Sequence, residues 1–392
     1  MTEWIAPPPA SQTARTQRAI TAALRAAYAW SARHQHQAAY RELASMTGVV
    51  MEVHGPGHGP VTPHQLVAQL HAPLGELLAF ADEVDEVIAP VVLLTENDQL
   101  TSDAIDLASE YAVGLQTGVG TSDWLPSWTR MGATRIRRET FAVLTSSKNQ
   151  DDYVTSRRFL IEHPAGRRDE LSELSSKLGA VLPWRGYQEL GSSQVHHARD
   201  GTGWWWPCPE CRWPMAVSHG RVRCRYRPHA AIYRITTTKK ADSRPVLTRI
   251  DEGPRVRRPK ARPAQGSVCL DPGVWRFVVV PGANELRVAQ ELEKLGAQVA
   301  LWPDGDSYDL KVHLGTTELR LDLKEYRSAY RLCADLRNAT PRARVLLPRT
   351  HEHHLPVVRS ALPQLPITTE TQLKASVRKA LTDLKRRDRA AS

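Results

Sequence analysis

The sequence lacks two features that would direct it to a membrane or out of the cell. It contains no apolar run near the roughly 20 residues that a membrane-spanning helix needs. Its N-terminus, MTEWIAPPPASQTART, lacks the order of charged, apolar and small residues that defines a signal peptide. We therefore expect a cytoplasmic protein with no membrane partner.

The cysteine content argues against an exported fold held by disulfides. There are only five cysteines, an odd number, and three of them cluster between residues 208 and 224. In a chain without an export signal, such a cluster indicates a metal site and not a disulfide framework.

Positive charge, by contrast, is present in excess. The formal net charge is +10 and the pI about 9.5. This balance favours a polyanion such as nucleic acid as partner, although an anionic surface or simple solubility would also account for it. Part of the excess forms a basic run, comprising Arg255, Arg257, Arg258, Lys260 and Arg262. Two interpretations stay open for this run, a solvated linker or a strap along a phosphate backbone.

Changes of composition along the chain predict four regions and an α/β multidomain protein. Residues 1–195 are mostly helical in pattern, with no repeat and no reactive constellation, which is typical of an interaction domain. Residues 200–235 are rich in cysteine and tryptophan and predict a small zinc-ribbon-like module. The Pro/Arg-rich segment 236–268 predicts a linker, and the alternating elements of 269–392 predict a mixed α/β domain.

Four residues of the cysteine-rich segment have the spacing of zinc ligands. Cys208-Pro-Glu-Cys211 is a CxxC pair, and Cys224 and His229 form a second close pair after a short hairpin. Two such pairs suit a tetrahedral ion, because each pair holds one edge and the intervening chain closes the loop. Four protein ligands leave no position for water, so the prediction is structural zinc.

Alternatives to this ligand set remain. His219 and the more distant Cys269 are competing ligands, and a thioredoxin-like redox pair is disfavoured because no βαβ pattern surrounds it. The neighbouring Trp204, Trp205 and Trp206 indicate packing in a small domain, with stacking on a nucleobase as a secondary interpretation.

The stretch DGDSYDLKVHLGTTELRLDLKEY, residues 304–326, is a β-hairpin with unusually many acidic residues. Gly315 suits the first central position of a two-residue type II′ turn, which pairs Leu314 with Thr317. Counting outward along both strands then pairs Asp309 with Asp322. Their Cβ atoms would lie about 5 Å apart, a distance at which like charges repel.

A divalent cation shared by the two carboxylates would remove this repulsion. Lys324 projects from the same face as Asp322, since residues two apart on a strand share a face. The alternatives are a solvated sheet face and a longer, four-residue turn that would pair Asp309 with Lys324. Other acidic residues of the stretch, Asp304, Asp306 and Glu318, are assigned to loop and turn.

A third carboxylate comes from the helix that precedes the hairpin. On a helical wheel Glu285 lies in the middle of an apolar stripe that includes Val288 and Leu292, where an unpaired carboxylate is costly. It either joins the metal cluster or is a first-turn glutamate stabilised by the helix dipole. Further along, His351-Glu-His-His354 lacks the histidine spacing of a metallopeptidase helix and is interpreted as a solvated first turn.

Glu285, Asp309 and Asp322-Leu-Lys324, ordered over helix, strand and hairpin, resemble the PD-(D/E)xK restriction-endonuclease-like superfamily. The resemblance implies an αβββαβ core around a four-stranded mixed sheet. It implies metal binding by Asp309, Asp322 and Glu285, and a catalytic role for Lys324. Tyr308 replaces the proline that usually precedes the first acid. Hard carboxylate ligands suit Mg²⁺ or Mn²⁺, which promotes phosphodiester hydrolysis.

The whole chain resembles, more narrowly, the REase component encoded beside prokaryotic pPIWI-RE proteins, in which an N-terminal domain Y precedes the nuclease. This resemblance implies an Argonaute-like pPIWI-RE protein and a DinG-type helicase as partners, and a role in defence against phage or plasmid DNA.

The function best supported by the sequence is therefore a magnesium-dependent DNA endonuclease. The alternative is a zinc-containing nucleic-acid-binding adaptor with a non-catalytic nuclease fold, and an RNA-directed nuclease also stays open. A double-strand cut requires two active sites, so both a homodimer and a nicking enzyme agree with the sequence.

Overall fold

The protein is described by a computed structural model over residues 12–81, 84–111, 140–144, 149–236, 244–253, 256–337 and 342–391. Its internal contacts divide the chain into two units, Met1–Gly132 and Ala133–Ser392, and each is presented by itself. None of the helices in these ranges combines the length and the apolar composition that crossing a bilayer requires.

The first unit is helical, as the sequence predicts. Its helices are α1 (Gln12–Ala32), α2 (Ala39–His54), α3 (Pro63–Leu70), α4 (Leu74–Leu77) and α5 (Ser102–Tyr111). Alanines of α1 pack against α2, and Arg25 and Glu42 form an ion pair buried between the two helices. Thr62 caps α3 by accepting a hydrogen bond from the backbone N–H of Gln65, whose side chain reciprocates.

The second unit begins with helical residues 140–144 and with α6 (Gln150–Glu162), followed by α7 (Arg168–Leu178). Gly179 ends α7 in the left-handed conformation, with φ 66°, which glycine adopts without steric cost. Residues 149–195, expected in the N-terminal region, thus fold with the rest of the second unit.

Ten short strands follow or flank these helices. They are β1 (Ala165–Arg167), β2 (Tyr187–Glu189), β3 (His196–His197), β4 (Gly203–Trp205), β5 (Ala216–Ser218), β6 (Arg221–Arg223), β7 (Ile232–Thr236), β8 (Val246–Arg249), β9 (Arg262–Pro263) and β10 (Ser267–Leu270). They form sheets of order β1-β10-β2, β3-β4-β9 and β5-β6-β7-β8.

The segment 236–268 is therefore not a simple linker, contrary to expectation. Its strands β8 and β9 pair with β7 and β4, and β10 lies between β1 and β2. The pairings of β9 and β10 are long-range, which explains why composition alone did not reveal them, whereas β8 pairs with β7, the strand before it in the chain. Of the basic run, Arg255 lies outside the described residues, whereas Arg257, Arg258, Lys260 and Arg262 are exposed.

The C-terminal part has the predicted αβββαβ order of elements, but its sheet has five strands where the resemblance implied four, because β15 adds to the edge beyond β14. A helical turn (Pro272–Val274) and a π-helical turn (Trp275–Val279) lead into the helix α8. The elements that follow the two turns are α8 (Val280–Lys294), β11 (Gln298–Leu301), β12 (Leu310–Leu314), β13 (Thr317–Leu323), α9 (Ala329–Arg337), β14 (Arg344–Leu347), α10 (Leu355–Ala361), β15 (Ile367–Thr369) and α11 (Glu370–Ala391).

The strands of this sheet lie in their order along the chain. The pairs β11–β12 and β12–β13 are antiparallel, whereas β13–β14 and β14–β15 are parallel. Leu310, Val312 and Leu314 of β12 face a core shared with α8 and α11. The mixed α/β, multidomain fold class is thus confirmed.

The histidine-rich segment differs from its prediction. It is a 3₁₀ turn, Arg349–His354, and not a solvated first helical turn. His351 and His354 are buried, and the ring of His354 is hydrogen-bonded at 2.8 Å to the main-chain oxygen of Tyr326. Two histidines of this segment are therefore packed in the interior of the domain.

Candidate zinc and nuclease sites

The four predicted zinc ligands come together in the structure. Nδ1 of His229 lies 3.6 Å from Sγ of Cys208 and 3.6 Å from Sγ of Cys224. Sγ of Cys211 lies 3.8 Å from that of Cys224. Tetrahedral zinc at its usual bond lengths requires edges of about 3.6 Å between sulfur and nitrogen and about 3.8 Å between sulfurs. The cluster therefore has the dimensions of a tetrahedral zinc site.

The local chain explains how the cluster forms. The backbone N–H of Cys208 donates to the carbonyl of Trp213, and that of Arg212 donates to the carbonyl of Cys208, which closes the CxxC turn. All four ligand residues are buried, and their ligand atoms lie within 4.8 Å of one another. On the far side of the ring, Nε2 of His229 faces the carboxylate of Glu210 at 3.9 Å, as metal-binding histidines commonly do.

Electrostatics favour a thiolate at Cys211. Burial raises the pKa of this thiol, but hydrogen bonds with Cys208, Cys224 and the indole of Trp275 outweigh it and hold the pKa well below its ordinary value. The indole N–H of Trp275 donates to Sγ of Cys211 at 3.3 Å. A thiolate is the form that zinc binds.

The competing ligands are excluded from this cluster. His219 is exposed, and Cys269 is buried in β10, where its sulfur lies 3.9 Å from Oε1 of Gln194. Trp205 and Trp206 are fully buried, which confirms packing as their main role. Trp204 is half-buried.

The predicted register of the carboxylate hairpin is confirmed. Leu314 pairs with Thr317, and the ladder continues to Leu310 opposite Leu321. Gly315 has φ 62°, as the first position of the two-residue turn requires. The four-residue turn, which would have shifted the register, is wrong.

Asp309 lies beside Asp322 at the end of this ladder. The backbone N–H of Asp309 donates to the carbonyl of Leu321, and Oδ2 of Asp309 accepts from the backbone N–H of Leu323 at 2.6 Å. Asp309 therefore contacts the residues on both sides of Asp322. Burial raises the pKa of Asp309 well above its ordinary value, and the charges of Glu285 and Asp322 raise it further.

Lys324 neutralises Asp322 in this arrangement. Its Nζ lies 2.8 Å from the carboxylate of Asp322, and both side chains are about one-third exposed, at 31% and 28%. The partial exposure means that solvent or a ligand reaches the pair from one side. The exposed Glu318 pairs instead with Arg320 at the turn, as expected for a solvated residue.

Glu285 is buried in α8, with 3% exposure, as the helical wheel predicts. It is not in the first turn of its helix, which begins at Val280 and continues the turns before it. Burial raises the pKa of Glu285, and the guanidinium of Arg157 counteracts this rise. Oε2 of Glu285 accepts hydrogen bonds from Nη2 of Arg157, at 3.0 Å, and from the indole of Trp302.

Arg157 is the residue of this centre that the sequence analysis missed. It lies on α6, forms ion pairs with both Glu285 and Asp306, and places its guanidinium 4.4 Å from the ring centre of Trp302. A signal was present, because Arg157 shares an otherwise apolar face with Tyr153, Leu160 and Ile161. A cation at such a position predicts a buried anion elsewhere.

Asp306 was assigned to a loop, and it does lie in the irregular turn Pro303–Asp306, where its φ is 66°. Its pairing with Arg157 nevertheless makes it part of the charge balance around Glu285. The carboxylates thus carry two separate counter-cations, Lys324 on Asp322 and Arg157 on Glu285. Within the described ranges, the cysteine–histidine cluster is the one group whose three or more ligand atoms already lie close together.

Comparison with protein families identifies both ends of the chain. Residues 282–385 match the family described as the REase associating with pPIWI_RE, and residues 15–167 match the pPIWI_RE three-gene island domain Y. The chain thus carries a match to domain Y, followed by a match to the REase that associates with pPIWI_RE. The narrower resemblance seen in the sequence is confirmed. No curated protein and no solved structure matches the chain.

The two matches divide the centre between them. Glu285, Asp309, Asp322 and Lys324 lie in the REase match, whereas Arg157 lies near the end of the domain Y match. The Arg157–Glu285 ion pair therefore joins the two matched segments. The zinc cluster lies between them, in a part of the chain that neither match covers.

Proposed function

We propose that the protein is a magnesium-dependent DNA endonuclease, with a PD-(D/E)xK type of centre at Asp309, Asp322 and Lys324. The observation that carries the proposal is the hairpin register, in which Asp309 lies beside Asp322 and Lys324 follows the last residue of β13. The REase family match, which covers these three residues and Glu285, supports it.

The donor set fits a hard divalent cation. Asp309 is held where burial and two neighbouring negative charges make ionisation unfavourable, and a bound cation is the simplest relief of that cost. Asp309 and Asp322 would hold Mg²⁺, or Mn²⁺, with Glu285 as the third carboxylate. The ion would supply charge neutralisation at the phosphate and acidify a water nucleophile.

The chain's own residues have distinct roles in this scheme. Lys324 supplies a partly exposed ammonium that would stabilise the anionic phosphate or orient the attacking water. Glu285 is fixed by Arg157 and Trp302, so it adds negative charge from a rigid position. The Cys208, Cys211, Cys224 and His229 cluster would bind zinc in a closed, structural manner.

The surface of the zinc module supports a nucleic-acid substrate. Arg221 of β6 lies directly opposite Arg234 of β7, and both side chains are exposed. Like charges in opposite positions on a sheet repel, so the pair costs stability in the free protein. A phosphate backbone would relieve this repulsion, and the exposed Arg257, Arg258 and Lys260 extend the positive charge.

The descriptions of the matched families support a place in a multi-protein system. We propose that the chain acts in the cytoplasm with an Argonaute-like pPIWI-RE protein and a DinG-type helicase, in defence against phage or plasmid DNA. The first unit, made of domain Y helices, is the proposed docking part.

One observation favours a second candidate, a nucleic-acid-binding adaptor whose nuclease fold does not cleave. Two of the three carboxylates, those of Asp322 and Glu285, are already paired with Lys324 and Arg157. Binding measurements with Mg²⁺ and Mn²⁺ separate the candidates, since an adaptor has no need for a cation at this centre.

The decisive experiment incubates the protein with plasmid DNA and Mg²⁺, with and without the two proposed partner proteins. Wild type should convert supercoiled plasmid to nicked or linear forms. We expect Asp322→Asn and Lys324→Ala to reduce the rate by at least about 100-fold, because each removes a group required at the reacting phosphate. A single-stranded RNA of matched sequence tests the RNA alternative.

Lys311→Ala is the matched control, because Lys311 lies on the same hairpin but pairs with Glu318 near the turn. Its rate should stay within about two-fold of wild type, as expected for a surface substitution. Equal cleavage by all variants, or none by wild type with partners present, rejects the proposed nuclease.

A further inference from the structure

Glu325 follows Lys324 directly in the chain but points to a different environment. Its Oε2 accepts a hydrogen bond at 3.0 Å from the hydroxyl of Tyr226, and its Oε1 accepts one at 2.6 Å from Nδ2 of Asn284. Burial raises the pKa of Glu325, and these two hydrogen bonds counteract the rise. A half-buried carboxylate with one hydrogen-bond partner on each oxygen is held in a fixed position.

Glu325 and its partner Asn284 are each adjacent in the chain to a residue of the proposed nuclease centre. Asn284 immediately precedes Glu285 on α8, and Glu325 immediately follows Lys324 after β13. The Asn284–Glu325 hydrogen bond therefore ties together the two chain segments that carry half of the proposed nuclease centre.

Tyr226 belongs to the zinc module. It lies between the ligands Cys224 and His229, and its ring contacts that of His229 edge-on, with centroids 4.9 Å apart. Folding of this short loop around the ion would determine where the hydroxyl of Tyr226 is placed. Tyr226 lies two residues after Cys224 and three residues before His229. The position of its hydroxyl therefore depends on the zinc cluster.

A second connection runs through the ligand Cys211. Its sulfur accepts from the indole of Trp275, which stacks on Trp213 with ring centres 4.4 Å apart. Trp275 begins the π-helical turn that leads into α8. The zinc module thus contacts two segments of the chain. Cys211 contacts the turn that leads into α8, and Tyr226 contacts the segment after β13. These are the segments that the Asn284–Glu325 hydrogen bond joins.

We infer that the zinc module positions the nuclease centre, with Tyr226 and Glu325 as positioning residues for Lys324 and Glu285. The inference rests on the proposed function for its catalytic consequence. Neither residue touches the reacting phosphate in this scheme. They act by fixing the main chain at Lys324 and at the Asn284–Glu285 step of α8.

The test compares two buried tyrosines of the same module. Tyr226→Phe removes the hydroxyl that bonds Glu325, whereas Tyr233→Phe removes a buried hydroxyl that has no hydrogen-bond partner in the described part of the chain. Both variants keep the ring, and we expect both to retain stoichiometric zinc by elemental analysis. Glu325→Gln is the conservative third variant, because its amide retains one acceptor.

Positioning predicts a split between kinetic constants. For Tyr226→Phe, kcat for plasmid cleavage should fall about tenfold while KM stays within about two-fold, because displacement of a catalytic group affects the transition state more than binding. Glu325→Gln should fall between Tyr226→Phe and wild type. Tyr233→Phe should match wild type.

A second readout does not depend on cleavage. Hydrogen exchange of the amides of Leu323 and Lys324, which donate to Asp309 and to the carbonyl of Leu346, should accelerate about tenfold in Tyr226→Phe. It should not change in Tyr233→Phe. If wild type neither cleaves DNA nor binds Mn²⁺, the nuclease proposal fails, and the exchange comparison still decides whether the zinc module orders this strand.

Two results overturn the inference. One is exchange and kcat in Tyr226→Phe that equal those of Tyr233→Phe. The other is loss of zinc from Tyr226→Phe in proportion to its loss of kcat, which would assign the hydroxyl to the zinc site alone.

Discussion

The zinc cluster and the carboxylate centre are both clusters of potential metal ligands, yet they are built in opposite ways. The zinc cluster draws all its ligands from residues 208–229. The carboxylate centre draws its groups from α6, α8 and the hairpin, and it contains Arg157 and Lys324 as internal cations. The ligand atoms of the first already lie close together. In the second, two cations offset only part of the negative charge of four carboxylates, those of Glu285, Asp306, Asp309 and Asp322.

The two ions would therefore contribute differently to the stability of the protein. Zinc at the first site would be part of the folded state, because the buried sulfurs have little else to bind. A divalent ion at the second site would compete with existing ion pairs, so it would bind more weakly and exchange with solvent. Substitutions at the two sites test this contrast.

Removal of a zinc ligand should have the largest effect on stability. We expect Cys224→Ser to lose zinc and to lower the free energy of unfolding of the second unit by at least about 4 kcal/mol, because binding energy at a structural zinc is folding energy. Elemental analysis and urea unfolding followed by tryptophan fluorescence measure both quantities.

Cys269→Ser provides the control, since Cys269 is equally buried but lies outside the ligand set. It should keep one zinc per chain. Full zinc occupancy in Cys224→Ser would remove the contrast between the two sites.

Removal of Arg157 should destabilise by an intermediate amount. Arg157→Met keeps a similar volume but leaves Glu285 and Asp306 without their cation, which typically costs about 3–5 kcal/mol for a buried pair. The double variant Arg157→Met with Glu285→Gln should be more stable than Arg157→Met, because the buried charge is gone while the amide oxygen still accepts from Trp302.

Urea unfolding of wild type, Arg157→Met, Glu285→Gln and the double variant completes a double-mutant cycle. Additive losses would show that Arg157 and Glu285 are not coupled, and the centre would then need no cation from α6.

Neutralisation of Asp309 should change the free energy of unfolding by the smallest amount. It should raise this free energy, whereas the substitutions at Cys224 and Arg157 lower it. Asp309→Asn should raise the free energy of unfolding by about 1 kcal/mol at neutral pH, since a raised pKa means that folding disfavours the charged form. The amide oxygen still accepts from the N–H of Leu323. The same change should abolish Mg²⁺ binding at this centre.

The pH dependence of stability tests whether the ionised carboxylate of Asp309 destabilises the folded state. In wild type, the cost of ionised Asp309 disappears as pH falls through its raised native pKa, so stability should increase over that range relative to Asp309→Asn. Asp304→Asn, at an exposed position in the preceding turn, should change stability by less than about 0.5 kcal/mol. A less stable Asp309→Asn at neutral pH would contradict the assignment.

The sequence predicted best what depends on neighbours in the chain. The zinc ligands lie in two close pairs, so spacing alone predicted a cluster that the structure forms. The register of the hairpin followed from Gly315 at the turn, because a two-residue connection leaves one pairing. The burial of Glu285 followed from helical periodicity.

What the sequence did not reveal depends on distant parts of the chain. Arg157 lies 128 residues before Glu285, and periodicity shows that each is buried without showing that they meet. The strands β9 and β10 are short and pair with strands far away in the chain, so proline and arginine content hid them. The buried His351 resembled a surface residue because its neighbours are polar.

The ion pair between Arg157 and Glu285 also limits which changes of sequence the protein tolerates at these two positions. One partner lies in the domain Y match and the other in the REase match, so we expect that replacing only one of the matched segments in this chain will break the pair unless arginine is kept at position 157. A recombination between them that brings in a residue other than arginine at position 157 leaves a glutamate buried without its cation. We therefore expect the two positions to change together in descendants of a common ancestor, and a fragment expressed as a nuclease to require α6.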